Sequence, residues 1–311
     1  MSSVSASRAP RRQGAGLVFV ISAYALWGAF PLYFLLLAPA TPFEVVAFRV
    51  VLSLVFCVLV ITVLRRWRAI VGLLRQPRVV ATMAFAGALI YVNWLFYVLA
   101  VFEDRVVEAA LGYFINPIGT VLLGVIVLRE KLRPAQWVAV GISAIAVLVI
   151  AIGYGTFPII AVVLATSFGL YGYVKNRVGA QVDALSGLTI ETAAIAPLAV
   201  AQLVIVSLVA GLEFGENGAG HTLAMLSAGV VTAIPLLLFA AGTRRLPLVA
   251  VGLAQYLTPI LQFVIGVAVL HEPMPLERWI GFALVWLALL ILSVDMVRAG
   301  RASRRASPPP L

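Results

Sequence analysis

Leu111-Gly112-Tyr113-Phe114-Ile115-Asn116-Pro117 and Leu253-Ala254-Gln255-Tyr256-Leu257-Thr258-Pro259 are two versions of one segment, set 142 residues apart. In the same register and without a gap, Gly124 meets Gly266, Glu130 meets Glu272 and Trp137 meets Trp279. Apolar identities are cheap between two hydrophobic stretches. A proline, a glycine, a glutamate and a tryptophan held in one register are not. A weaker echo joins Trp27-Gly28 to Tyr171-Gly172. The chain therefore reads as a duplication.

The environment of both copies follows from composition. Of 311 residues, 63% are hydrophobic and 11% charged, with a mean hydropathy of +1.10. A soluble domain carries about 25% charged residues, and no water-soluble fold of this size hides so much apolar surface. The pattern predicts a polytopic membrane protein and excludes disorder, a fibre and a disulfide scaffold. The net charge of +10 would suggest nucleic acid in a soluble domain. Here the bases fall in short clusters between apolar runs, so they read as orientation signals, and no nucleic-acid partner is expected. The single Cys57 lies inside an apolar run and supports neither a disulfide nor a thiolate metal site.

A bilayer core about 30 Å thick takes roughly 20 apolar residues of helix. Ten such spans are predicted, near 16–38, 43–64, 79–102, 106–128, 136–153, 157–174, 185–211, 222–243, 247–270 and 277–297. Strict alternation is missing from them, which excludes a barrel. The expected fold is all-α and integral to the membrane, with residues 16–153 holding helices 1–5 and 157–297 helices 6–10. Five is odd, so the second copy sits upside down relative to the first. With the amino terminus in the cytoplasm, all of the 22 Lys and Arg except Arg49, Arg105 and Arg278 fall inside or in cytoplasmic loops. That asymmetry predicts both termini cytoplasmic. The loop holding Arg129, Lys131 and Arg133 is basic and inside; its counterpart at 271–277 has no Lys or Arg and is outside. Inverted repeats are the architecture of secondary transporters that alternate access to a central site. A duplicated membrane scaffold or sensor is the alternative of another class.

The residues able to carry such a site are few. Asn116-Pro117 and Thr258-Pro259 lie about ten residues into their spans, roughly 15 Å deep. Each proline removes a helix hydrogen bond and frees the carbonyl four residues earlier, that of Tyr113 or Gln255. Irregular backbone at this depth is tolerated only against protein or a wet cavity. Asn93, Thr232, Pro235 and Tyr256 reach similar depth, and Tyr24, Trp27 and the Gly28-x-x-Pro31 kink come from helix 1. Tyr24, Trp27, Asn93, Tyr113, Asn116, Gln255, Tyr256 and Thr258 are thus the expected substrate-binding residues, with Gly28, Pro117 and Pro259 shaping the helices. The bland alternative is ordinary interhelical hydrogen bonding.

Three charges inside the membrane complete the set: Arg49, Glu108 and Glu191. Arg49 and Glu191 are equivalent under the 142-residue shift, yet each lies roughly 10 Å from its own face of the bilayer, so about 10 Å of depth separates them. Intramembrane charges are functional candidates by default, although Arg49 also has the reach to snorkel towards headgroups. Glu191, and after it Glu108, is the expected proton carrier. No G-x-x-x-x-G-K-[ST], H-E-x-x-H or G-x-S-x-G occurs, so neither ATP hydrolysis by that route nor an enzyme is expected, and no metal or cofactor.

The residues also resemble a known family. Two inverted five-helix halves look like the drug/metabolite transporter superfamily, each half similar to an EamA repeat. Asn93-Trp94-Leu95-Phe96 and Val107-Glu108-Ala109-Ala110-Leu111-Gly112-Tyr113-Phe114-Ile115-Asn116-Pro117 resemble its RarD-type permeases. Ala23-Tyr24, Trp27-Gly28, Arg49 and Gln255-Tyr256-Leu257-Thr258-Pro259 fit as well, so the likeness runs from Gly16 to Val297. It implies a permease of the bacterial inner membrane, from a family named for chloramphenicol sensitivity. The expected function is proton-coupled export of a small metabolite or amphipathic drug, with import or facilitation as the alternative. The expected partners are that small-molecule substrate, protons and the lipid bilayer. A homodimer is compatible with the sequence, which fixes no oligomeric state.

Overall fold

The computed structural model describes residues 8–128, 132–154, 157–178, 181–243, 245–246 and 248–306. Arg129, Glu130, Lys131 and Arg244 from the sequence reading lie outside the described residues. The elements are α1 (Arg8–Gly28), α2 (Phe30–Leu35), α3 (Pro42–Val63), α4 (Trp67–Leu74), α5 (Pro77–Phe102), α6 (Val106–Leu128), α7 (Pro134–Tyr154), α8 (Ile159–Val178), α9 (Ala184–Val209), α10 (Gly218–Leu226), α11 (Ala228–Thr243), α12 (Leu248–Ala254), α13 (Leu257–Val264), a π-helical turn (Ile265–Val269) and α14 (Leu276–Ala306). Among the described residues there is no strand. Among the described residues six helices are long and apolar enough to cross a membrane, and four shorter apolar helices accompany them: Gly14–Gly28, Val106–Gly119, Ile159–Lys175 and Leu257–Val269.

Helix starts follow local chemistry. Pro42 and Pro77 stand in the first turns of α3 and α5, where a missing N–H costs nothing. Thr41 caps α3 by accepting from the Glu44 amide at 3.2 Å, and Asp183 caps α9 by accepting from the Ser186 amide at 3.3 Å. Such caps contribute about 1 kcal/mol each.

Three predicted spans are not continuous helices. The first breaks at Ala29, between α1 and α2, where Gly28 and Pro31 flank the joint. The eighth bends at Ser227, between α10 and α11, and the ninth opens at Gln255-Tyr256, between α12 and α13. Pro117 and Pro197 leave α6 and α9 uninterrupted. At the break in α1 another helix serves the carbonyl that the proline frees, as described below.

The principal packing pairs are α3 on α9, α1 on α11, α5 on α8, α6 on α8, α1 on α13, α6 on α13, α3 on α11, α5 on α9 and α7 on α14. Each joins an element before residue 155 to one after it. Polar clasps close both ends. At one end Arg66 pairs with Asp183 at 3.3 Å and Arg133 with Asp295 at 2.6 Å. At the other, buried carboxylates hold backbone amides. Glu44 accepts from Glu213 (3.1 Å) and Phe214 (3.0 Å), and Glu272 from Val106 (2.6 Å) and Val107 (3.0 Å) at the start of α6. The unpaired N–H groups and the dipole at a helix start both favour an anion there.

Candidate functional site

Arg49 points into the protein, not towards headgroups: it is 4% exposed. Its guanidinium carbon lies 4.2 Å from the ring centre of Trp94 and 5.3 Å from those of Phe30 and Phe34. Its Nε donates to Thr232 Oγ1 at 2.9 Å, while Nη1 is buried without a hydrogen-bond partner. Among the described residues no carboxylate pairs with it. Ring faces attract a cation by roughly 0.5–2 kcal/mol each. Burying an ion costs several kcal/mol even after relaxation, and an unmet buried donor adds about 1–3 kcal/mol. The cage offsets part of that cost and leaves the positive charge uncompensated.

Around this cage lies a polar network built on the break in α1. Pro31 has no N–H, so the Trp27 carbonyl four residues earlier loses its helical donor. Gln262 Nε2 on α13 donates to that oxygen at 3.2 Å and to Tyr97 Oη at 2.9 Å. One turn earlier on α13, Thr258 Oγ1 donates to the Tyr24 carbonyl at 2.8 Å. Two side chains at i and i+4 thus serve two carbonyls of α1. Gly28 allows the approach, since a Cβ there would come within 2.7 Å of Leu261 Cβ. Gln262 Oε1 remains buried without a partner. On the α5 side, Asn93 Nδ2 donates to Ser167 Oγ (3.0 Å) and the Leu164 carbonyl (3.2 Å), and its Oδ1 accepts from Tyr113 Oη at 3.0 Å. The Tyr97 and Tyr113 rings lie 5.8 Å apart, and Tyr97 and Phe34 6.0 Å apart.

The structure brings together most of the predicted binding residues, though not all. Trp27 and Tyr113 pack against one core cluster that holds Phe30, Phe34 and Trp94; Arg49 joins it through those three rings, Asn93 through Tyr113, and Thr258 through its bond to the Tyr24 carbonyl. Trp27 contributes its carbonyl, its ring packing on Tyr24 and Phe239. Tyr256 instead packs into the second cluster, with α6, α7 and α14. Gln255 is half-buried in the break before α13, Asn116 is buried within α6 beside Pro117, and Pro259 stands in the first turn of α13. Sequence reasoning missed Gln262, Tyr97, Ser167 and the cage rings Phe30, Phe34 and Trp94. Helical spacing carried a signal for two of them, because Tyr97 lies one turn after Asn93 and Gln262 one turn after Thr258.

The two membrane carboxylates sit in unlike surroundings. Glu191, fully buried on α9, accepts from Lys175 Nζ at 2.5 Å and Tyr171 Oη at 3.2 Å, so its partner is Lys175 rather than Arg49. Glu108 accepts from Arg105 Nη2 at 2.6 Å and from the amides of Ile160 (3.1 Å) and Ala161 (3.5 Å), clamping the start of α8. Outside the spans, burial pushes the Glu272 carboxyl up to about 7, with Asp104 and Glu108 adding to it and the Val107 and Val106 amides opposing. No group of three or more His, Cys, Asp or Glu side chains positioned to hold a metal ion occurs among the described residues.

Residues 14–152 match the EamA-like transporter family. A protein of Streptomyces exfoliatus named Protein RarD is 46% identical to the chain, over 96% of this chain and 94% of that one. The Chloramphenicol-sensitive protein RarD of Pseudomonas aeruginosa is 30% identical over 95% of this chain and 99% of its own length. A solved crystal structure, 19% identical, superposes with a TM-score of 0.59, covering 92% of this chain and 99% of that one; it bears on the fold alone.

Proposed function

The chain belongs to the EamA-like transporter family, in its RarD-type branch, and from that premise we propose a secondary permease that carries a small metabolite or amphipathic drug by alternating access. It is a multi-pass membrane transporter of the bacterial inner membrane, not an enzyme. The finer reading is ten spans in two inverted halves, residues 16–153 and 157–297, with both termini cytoplasmic. Besides the repeated segment, the pairing of the helices supports the two halves. Exchanging the halves maps α1 on α11 to α8 on α5, α3 on α11 to α9 on α5, and α1 on α13 to α8 on α6. The pairs α3 on α9, α6 on α13 and α7 on α14 map onto themselves, as a twofold relation requires.

The observation that carries the reading is the buried polar network at the seam of the halves. Arg49, Asn93 and Tyr113 come from the first half, and Thr232, Thr258 and Gln262 from the second. A soluble core would rarely spend so many polar groups on one interior point. A site between two rocking halves needs them to receive a hydrophilic solute. Glu191 is the favoured proton carrier: protonation would release Lys175 and loosen α8 against α9. Glu108, already held by three donors, is the second choice. Export is the favoured direction.

The test is flux into proteoliposomes under an imposed pH gradient, with a pooled metabolite panel that includes chloramphenicol. The reading expects saturable flux that collapses with an uncoupler, and its loss in Glu191→Gln. Gradient-independent flux would make the protein a facilitator and remove the role given to Glu191.

A further inference from the structure

The uncompensated charge at the seam says something about the solute. Arg49 lies at a buried point reached by both halves, with Nη1 unpartnered and no carboxylate of the described chain beside it. The hydroxyls of Tyr33, Tyr97 and Tyr113 lie within its electrostatic reach, and all are neutral donors or acceptors. Gln262, which donates to Tyr97, is neutral too. Among the described residues no side chain therefore neutralises this buried guanidinium, while one of its donors is held ready. A guanidinium pairs best with a planar oxyanion, through charge-assisted hydrogen bonds. The rings of Phe30, Phe34 and Trp94 around it offer apolar contact to whatever carries that oxyanion.

From this geometry we infer that the transported solute is an amphipathic organic anion whose carboxylate binds Nη1 of Arg49, with its apolar part against the surrounding rings. The inference rests on the transport reading above and narrows it to a substrate class. A second source of negative charge has the same chemistry at Nη1, a chloride ion, and the experiment separates the two.

Purified protein in lipid nanodiscs is titrated, with intrinsic tryptophan fluorescence as the readout, against matched pairs: phenylacetate and phenylacetamide, hexanoate and hexanamide. Sodium chloride is titrated separately. Each carboxylate is expected to bind at least about tenfold more tightly than its amide, a gap of about 1.4 kcal/mol. Arg49→Gln is expected to erase that preference and Arg49→Lys to keep part of it. Equal binding of the amides, no binding of either carboxylate, or an unchanged preference in Arg49→Gln overturns the inference. So does saturation by chloride with no further response to carboxylate. If Arg49→Gln does not fold, the wild-type pairs and Arg49→Lys still decide. Counterflow of the same solutes in proteoliposomes keeps the two readings apart. Flux of neutral solutes with carboxylates ignored sinks only the anion. Carboxylate binding without flux of anything sinks transport and leaves an anion site.

Discussion

Asn93 serves three partners with one amide, so its loss is expensive in a definite way. Asn93→Ala strands Tyr113 Oη and takes one partner from Ser167 Oγ and from the Leu164 carbonyl, which keep their bonds within α8; an unmet buried group costs about 1–3 kcal/mol, and a clear fall in unfolding temperature is expected in nanodiscs. An unchanged midpoint would mean that water serves these groups. Lys175 makes a sharper case. Lys175→Met leaves Glu191 buried and unpaired, a loss on the order of 3–5 kcal/mol, whereas adding Glu191→Gln is expected to restore most of it. A double variant as unstable as the single one would show that Lys175 acts through packing. At this scale the sequence was only partly legible. The reading of Arg49, Asn93 and Tyr113 as inward-facing rested on residue type and depth. The pairing of Glu191 with Lys175 was hidden because Lys175 reads as one of a run of cytoplasmic bases. The roles of Glu44 and Glu272 were hidden because a carboxylate that holds the amides of a distant segment carries no sign of that partner in its own.

Between elements, the α1–α13 contact holds the site together. Gly28→Val would set its Cβ within 2.7 Å of Leu261 and push α13 away from the Trp27 and Tyr24 carbonyls. The expected loss is about 1–3 kcal/mol, with transport falling further than stability, as flux and unfolding measured on one preparation would show. The clasp between Glu272 and the start of α6 makes a prediction in pH. Its carboxyl titrates near 7 in the folded protein, above its ordinary value of 4.5. The stability it contributes is complete below about 4.5 and is lost as pH rises through 7. Unfolding midpoints of the wild type should decline across pH 5 to 8 more steeply than those of Glu272→Gln, and parallel curves would mean that the amides of the clasp outweigh burial and keep the carboxyl at its ordinary value. The breaks at Ala29 and Gln255-Tyr256 were foreshadowed by Gly28-x-x-Pro31 and Thr258-Pro259. The uninterrupted course of α6 past Pro117 was not, because whether a proline opens a helix depends on neighbours that a single segment does not name.

For the whole molecule, orientation and alternation are the claims at issue. With Cys57 replaced by alanine, a cysteine at the exposed Arg68 should react with an impermeant thiol reagent only from the cytoplasm. One at Glu277 should react only from outside. The reverse pattern, or both on one face, would undo the inverted arrangement. The proposed duplication rests on polar and ring residues that recur in register. The partnership of the halves was not readable, because helix pairing across a membrane leaves little periodic trace in apolar sequence. The most direct test of the central claim uses Ser167→Cys, beside Asn93 at the seam, in the same Cys57→Ala background. Its modification by an impermeant methanethiosulfonate is followed in right-side-out and inside-out vesicles. Alternating access predicts reaction from both faces, each slowed when the protein is cross-linked closed on that face. Reaction from one face alone, or from neither, would contradict it.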